Sequence, residues 1–490
     1  MTFPSKMRLS AGLAVLTGLT LRLFFILKFP VQDSGDAPFY IELAWNWLKN
    51  GVYGIPIADH LTPVDMRVPG YPAFLAAIFA FFGQSTRAVM LAQSAIDLAT
   101  YFLVALIAAR LAPPSSRRRV ALAGLWLAAL CPFTANYTAV VLTETLVIFL
   151  TALALLVLLE ACVSSSPLNH GSAPAGISGF SRWLLGGLIV GFGTLVRPET
   201  PLLLLAVGLV LVQKWWRLAD WKKLARAVAL MTAGLLLPLV PWAARNWNEL
   251  HDVQFLAPHY STLPGEFAPL GFDAWINTWL WRFSDVYRVT WKLDVEEISV
   301  DDLPPSAFDS PRQKARLGEI FETYNDTLTW TQDQDRELGE IARERTAQHP
   351  LRTYLKVPLL RSLTIWFAPR VELLPVSGNL WPFRDEWRDD RRDFLTTLGA
   401  VVINTMYMAF AVAGAWMSRR RPGWGLLIAF ILVRTAYFAT FADEAPEPRY
   451  VLECFPAVLA LGAQAFQGGV SFRRGARGEL SGGRSAEIVL

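Results

Sequence analysis

Apolar runs of about 20 residues recur from one end of this chain to the other, and nothing else in it constrains the fold as much, because a run of that length can cross a bilayer as a helix. Candidate spans cover residues 10–29, 86–110, 120–138, 141–163, 227–243, 395–416, 424–441 and 451–466. Two shorter runs, 183–196 and 200–212, flank Arg197-Pro198-Glu199. They read either as two minimal spans or as a hairpin of short helices inside a bundle, and both readings return the chain to the same side. Charged residues make up 18% of the 490, against about 25% in a soluble domain, which excludes a disordered chain and argues against an ordinary cytosolic enzyme. The three cysteines, Cys131, Cys162 and Cys454, all lie in apolar runs, so they fit buried thiols and not a disulfide-stapled secreted module. A net charge of +4 leaves no nucleic-acid footprint. The expected architecture is an all-α polytopic membrane protein of about ten transmembrane helices.

Lys and Arg favour the cytoplasmic side of a membrane protein. Lys6 with Arg8, Arg110 with Arg117-Arg118-Arg119, Arg182, the group from Lys214 to Arg226, Arg419-Arg420-Arg421, and Arg473, Arg474 and Arg477 all fall on one side if the chain crosses about ten times. Both termini are then cytoplasmic. The apolar stretch 71–82 is only a dozen residues long, and if it spanned, every later basic cluster would change sides. It reads as an interfacial or re-entrant helix on the outer face. The expected organisation is a transmembrane module over 1–244 with an outer first loop at 30–85, an extracytoplasmic α-rich domain over 245–394, C-terminal transmembrane helices over 395–467, and a Gly/Arg/Ser-rich disordered cytoplasmic tail over 468–490. Within the outer domain, 311–325 and 331–348 read as surface helices, and 351–367 as an interfacial helix. The Ser/Gly/Pro-rich stretch 164–181 reads as a flexible loop. No repeat of 20–50 residues is visible.

The first outer loop carries Asp33-Ser34-Gly35-Asp36-Ala37-Pro38-Phe39-Tyr40. Phe39, Leu43 and Trp47 recur at helical spacing behind it, which predicts an amphipathic helix of about three turns lying on the membrane. Asp36 sits at its N-cap and Pro38 in its first turn. A cap is one reading of Asp36; a carboxylate held at the membrane–water boundary, where a general base could work, is the other. Arg67-Val68-Pro69-Gly70-Tyr71-Pro72 places a cation beside a Pro/Gly turn, as a snorkelling Arg or as a phosphate contact. Glu144, Arg197, Glu199, Arg245 and Arg449 lie near outer span ends, and three arginines with several carboxylates there suit an anionic, amphiphilic substrate. Arg22 and Asp97 lie deeper at similar depth and read as a structural pair. His251 and His259, eight apart with no helix signal, make a poor metal site. Asp333-Gln334-Asp335 reads as a solvated helix face, and two sequon matches, at Asn136 and Asn325, are within chance.

In order along the chain, Asp36-Ala37-Pro38-Phe39-Tyr40, Arg67-Val68-Pro69-Gly70-Tyr71-Pro72, Thr143-Glu144, Leu195-Val196-Arg197-Pro198, Pro241-Trp242-Ala243-Ala244-Arg245-Asn246 and Glu447-Pro448-Arg449-Tyr450 resemble strings of the GT-C polyprenyl-phosphate-sugar glycosyltransferases. That superfamily includes protein O-mannosyltransferases, the aminoarabinose transferase of lipid A, and the RgtA/B/C/D-like lipopolysaccharide transferases. The resemblance implies a GT-C fold in a bacterial inner membrane, with an extracytoplasmic active site. It implies a hexosyl- or pentosyltransferase that moves a sugar from a polyprenyl-phosphate donor to a lipid, glycan or protein of the cell envelope, with inversion. Asp36 would be the general base, with Asp33 and Glu144 as possible second carboxylates; Asp36 has the matching spacing to Tyr40, while Asp33 stays open. Arg67, Arg197, Arg245 and Arg449 would neutralise the leaving phosphate. Tyr40, Tyr71 and Tyr450 would line the pocket. No cofactor or metal is expected. An O-antigen ligase or polymerase would instead place its key residues in the late outer loop, and a lipid-linked sugar flippase would concentrate charge at the midplane.

Overall fold

The computed structural model describes residues 5–31, 35–57, 59–164, 179–218, 220–258, 267–441 and 446–468. Asp33, His259, most of the 164–181 loop and the tail beyond Gly468 lie outside the described residues. Helix α1 (Ser5–Lys28) enters the bundle. It is followed by α2 (Ala37–Asn50), a hairpin of β1 (Gly54–Ile57) and β2 (His60–Pro63), and α3 (Gly70–Phe82). Next come α4 (Thr86–Leu111), α5 (Arg117–Leu130), the short α6 (Pro132–Asn136), α7 (Glu144–Ser164), α8 (Gly179–Thr194), α9 (Leu202–Leu218) and α10 (Trp221–Leu250). Five helices, α1, α4, α7, α10 and the later Arg391–Ser418, are long and apolar enough to cross a membrane. The chain is thus an all-α polytopic membrane protein.

The other predicted spans are short or broken, for identifiable reasons. The run 120–138 bends by 47° after Leu130, where Pro132 has no N–H to continue the helix, and counts as a sixth span if taken whole. The run 451–466 is a 3₁₀ turn (Pro448–Cys454), a short helix and a second 3₁₀ turn (Ala463–Phe466), nearly every residue of it buried. Irregular backbone is tolerated at membrane depth where protein, not lipid, surrounds it. The runs flanking Arg197 form the α8–α9 hairpin, with α8 packed on α7 and α10.

The deep charges pair as expected. Arg22 on α1 meets Asp97 on α4 at 2.8 Å, both fully buried, and donates to the carbonyls of Ala129 at 2.5 Å and Ala128 at 3.2 Å. One guanidinium thereby clamps three helices. Arg22→Met alone leaves a buried carboxylate without its cation, which costs about 3–5 kcal/mol. We expect a lower thermal midpoint and poor yield in detergent for Arg22→Met, and recovery when Asp97→Leu is added; an unchanged midpoint in the single variant would contradict the clamp.

The region 267–348, expected to lie outside the membrane, has its own core around Phe272, Trp275, Trp279, Leu317, Phe321, Leu338 and Ile341. It is built from α11 (Leu270–Ile276), α12 (Phe283–Val286), α13 (Pro311–Asn325) and α14 (Gln332–Gln348), the last two over the predicted spans. Thr331 and Gln334 form a reciprocal capping box, so the Asp333-Gln334-Asp335 string is helix-start chemistry. Asp335 accepts from the backbone N–H groups of Gly271 and Phe272. Helix α15 (Val357–Phe367) follows a π turn at Arg352–Lys356 that absorbs the missing N–H of Pro358. Leu351, Leu355, Leu359, Leu363 and Phe367 form one exposed stripe, while Val357, Arg361 and Ile365 face inward, the two-faced pattern of an interfacial helix. Arg361 donates to the Leu280 carbonyl at 2.7 Å and Asn277 Oδ1 at 2.5 Å, fixing the domain to that helix. Helices α16 (Phe383–Asp389), α17 (Arg391–Ser418), α18 (Trp424–Thr440) and α19 (Phe455–Gly462) complete the chain.

Candidate active site

Asp36 holds the predicted N-cap position of α2, but its side chain caps nothing. Pro38 in the first turn lacks one of the N–H groups that an N-cap carboxylate would accept. The carboxylate turns to Arg67 instead and accepts from its Nη2 at 2.8 Å, with the two side chains about a third exposed at 35% and 32%. Burial pushes the Asp36 carboxyl up, but the charge and hydrogen bond of Arg67, with Arg449 and Arg197 behind it, hold it below the usual carboxylate range. Asp36 is therefore ionised at neutral pH.

The residues around Arg67 are positioned by the unforeseen β hairpin, after which the chain runs back toward the start of α2. The Tyr53 hydroxyl donates to the Arg67 carbonyl at 2.8 Å. Gly70 N donates to the Leu195 carbonyl at 2.6 Å, an approach so close that a Cβ at Gly70 would lie 2.5 Å from that oxygen. Only glycine permits it, and it presses the Arg67 loop against the turn that carries Arg197. There Arg197 pairs with Glu144 at 3.3 Å and with Glu199 and Glu453 at 3.7 Å. Arg434 bonds the same Glu453 oxygen, Oε1, at 2.5 Å. Arg449 pairs with Glu447, and both Arg197 and Arg449 lie over the Tyr450 ring, at 5.5 and 5.4 Å.

Two adjoining cavities result. One of about 540 Å³ is lined by Asp36, Arg67, Tyr137, Glu372, Glu447 and Arg449, with Phe283 and Trp291 also in its wall. The other, about 190 Å³, takes in Asp36, Tyr40, Arg67, Glu144, Arg197, Arg449 and Tyr450. Asp36, Arg67 and Arg449 line both. An ionised carboxylate thus sits between guanidinium groups at a junction large enough for a sugar and a phosphate. That arrangement can take a proton on one side and hold an anion on the other.

Two residues expected at the site stand elsewhere. Arg245 spends its donors on the carbonyls of Tyr53 at 2.6 Å and Val64 at 2.9 Å, and lines a separate cavity of about 250 Å³ with Trp47 and Trp242. It braces the first loop from outside. Tyr71 is fully buried, donates to Gln93 Oε1 at 2.7 Å and meets Tyr40 edge-on at 5.2 Å, so it supports the pocket without lining it. Glu144 is buried behind Arg197. His251 is an exposed helix-end residue with φ 57°. Among the described residues no group of three or more His, Cys, Asp or Glu could hold a metal ion. Tyr137, Glu372 and Glu447 were not foreseen. Glu447 stands two residues from Arg449 in a string already singled out; Tyr137 was hidden within a sequon match at the end of an apolar run; Glu372 follows the interfacial helix with no motif around it.

No protein-family model matches the chain, and no curated protein does. Among solved structures the chain is similar in fold to GT-C glycosyltransferases, the oligosaccharyltransferase AglB and ArnT. One is the Archaeoglobus fulgidus oligosaccharyltransferase tethered with an acceptor peptide, 14% identical, covering 94% of this chain and 49% of that one, with a TM-score of 0.48. A second is AglB of the same organism in complex with an inhibitory peptide and a dolichol-phosphate, 13% identical over 94% of this chain and 50% of that one, TM-score 0.46. A third is ArnT from Cupriavidus metallidurans bound to undecaprenyl phosphate, 14% identical over 93% of this chain and 77% of that one, TM-score 0.40. The chain spans about half the length of the oligosaccharyltransferases it matches.

Proposed function

We propose that this protein transfers a sugar from a polyprenyl-phosphate donor to a hydroxyl of a lipid, glycan or protein acceptor outside the cytoplasm, in a bacterial inner membrane, with inversion. The observation that carries this reading is the meeting of ionised Asp36 with Arg67 and Arg449 in one pair of cavities beneath the outer domain. The acceptor oxygen attacks the anomeric carbon and its proton passes to Asp36. The bond from that carbon to the phosphate oxygen breaks, and polyprenyl phosphate leaves with the electron pair. Arg67 and Arg449 take up the growing negative charge, with Arg197 behind them, so charge neutralisation rests on guanidinium groups and no step is routed through a metal. Tyr40, whose phenol burial pushes well up, stays protonated and shapes the pocket. A flippase reading is weakened by the deep Arg22–Asp97 pair, which is closed off by backbone carbonyls.

The direct test is thermal unfolding of the detergent-solubilised protein with undecaprenyl phosphate and with undecaprenol. A ligand that binds only the folded state raises the midpoint. The phosphate is expected to raise it and the alcohol is not, and Arg449→Ala is expected to lose the difference. Equal shifts from both lipids would sink the phosphate site.

Sidedness has its own test. Gln84 and Ser115 are exposed just beyond opposite ends of the 26-residue α4, and all three native cysteines are buried. A membrane-impermeant thiol reagent added to intact cells should label Gln84→Cys and leave Ser115→Cys unlabelled until the cells are opened. Labelling of both from outside would contradict an extracytoplasmic site with cytoplasmic termini.

A further inference from the structure

After α15 the chain turns into the cavity wall through Arg370, whose backbone is left-handed at φ 56°, a conformation side-chain-bearing residues rarely adopt. Its own side chain holds it there. The buried guanidinium donates to the carbonyls of Pro448 and Ile365, each at 2.8 Å, and lies 4.9 Å over the Phe455 ring. Two residues on, Glu372 accepts a hydrogen bond from the Tyr137 hydroxyl at 2.9 Å. Its second oxygen is buried and has no hydrogen-bond partner.

The other acids of the larger cavity are matched: Asp36 by Arg67, Glu447 by Arg449. Among the described residues no cation lies within ion-pairing distance of Glu372; Arg370, two residues away, acts on it at longer range. A buried carboxylate oxygen left without a donor is costly, so the position suits a ligand that brings one. Glu372 and Phe283 also line a neighbouring groove of about 860 Å³, which runs between the outer domain and the residues after α15. Glu372 thus stands where that groove opens into the cavity holding Asp36.

We infer that Glu372 is the acceptor-binding carboxylate: its free oxygen takes a hydrogen bond from a hydroxyl or amine of an acceptor arriving through the groove, and so turns the attacking hydroxyl toward Asp36. Tyr137 holds the other oxygen and fixes the rotamer. The inference rests on the transfer reading and adds the acceptor side to it.

Glu372→Gln separates this role from a structural one. The amide oxygen can still accept from Tyr137, but an amide donor now stands where the carboxylate oxygen accepted. The experiment returns each variant to a strain lacking the protein and reads the glycosylated product by mass spectrometry, alongside the undecaprenyl phosphate midpoint shift of the purified variant. Glu372→Gln is expected to lower product at least ten-fold with the lipid-phosphate shift intact. Glu372→Asp, which keeps the charge with a shorter reach, should fall between Glu372→Gln and wild type. Wild-type product levels in both variants would overturn the inference. So would loss of the lipid-phosphate shift in both, which would mark Glu372 as a scaffold residue. A wild-type protein indifferent to undecaprenyl phosphate would fail the transfer reading itself, and the inference with it.

Discussion

Asp36→Asn should abolish sugar transfer while leaving the protein folded. Removing a positioned general base costs about 10²–10⁴-fold in rate. The asparagine oxygen can still accept from Arg67, so the contact between the α2 N-terminus and the Arg67 loop survives, and the thermal midpoint is expected to hold. The measurement is turnover in membranes containing each variant, normalised to folded protein. Near-normal turnover would remove Asp36 as base. The acid limb of the pH profile gives the same answer independently. Because Arg67 holds the Asp36 carboxyl below its ordinary value near 3.8, the ionised, active form is present above that value and is lost only as pH falls through the lowered one. Transfer should therefore stay flat down to about pH 4, the ordinary carboxylate range.

Arg67→Gln is expected to have the second large effect, on two observables at once. Removing a charge aimed at the leaving phosphate costs about 10²–10³-fold. The same change takes away the main influence that lowers Asp36, so burial is left to act with less opposition and the carboxyl rises. The sign is fixed: the acid limb moves to higher pH in Arg67→Gln and moves less in Arg449→Ala, where the direct ion pair with Asp36 remains and only the more distant charge is lost. A loss of rate with an unmoved acid limb would show that Arg67 contacts phosphate without setting the base. An unchanged rate would take Arg67 out of the site.

Much of this arrangement was legible in the residues because charge is sorted in a membrane protein. The Arg22–Asp97 pair followed from two deep charges at matching depth. The α2 helix followed from Phe39, Leu43 and Trp47, and helix α15 from basic and apolar residues mixed around Pro358. Asp36, Arg67 and Arg449, singled out in the sequence, line one cavity.

What the residues hid has physical reasons too. Hydropathy measures a segment's length and apolarity, not what surrounds it. The run 451–466 reads like a span, yet it is wrapped by protein and breaks into 3₁₀ turns. An arginine's partners are equally invisible in sequence: Arg245 looks like Arg449 until its donors are seen on the backbone carbonyls of the first loop. Glu372 and Tyr137 meet across 235 residues, and neither lies in a pattern of its own.

Asp36 is the group proposed to let a lipid-linked sugar pass to its acceptor. The most direct measurement is mass spectrometry of envelope glycolipids and glycoproteins from a strain lacking the protein, complemented in turn with wild type and with Asp36→Asn at equal expression. The expected result is an acceptor that lacks one sugar residue in the deletion, regains it with wild type and does not regain it with Asp36→Asn. Full restoration of that sugar by Asp36→Asn, or glycan profiles identical in all three strains, would contradict the account.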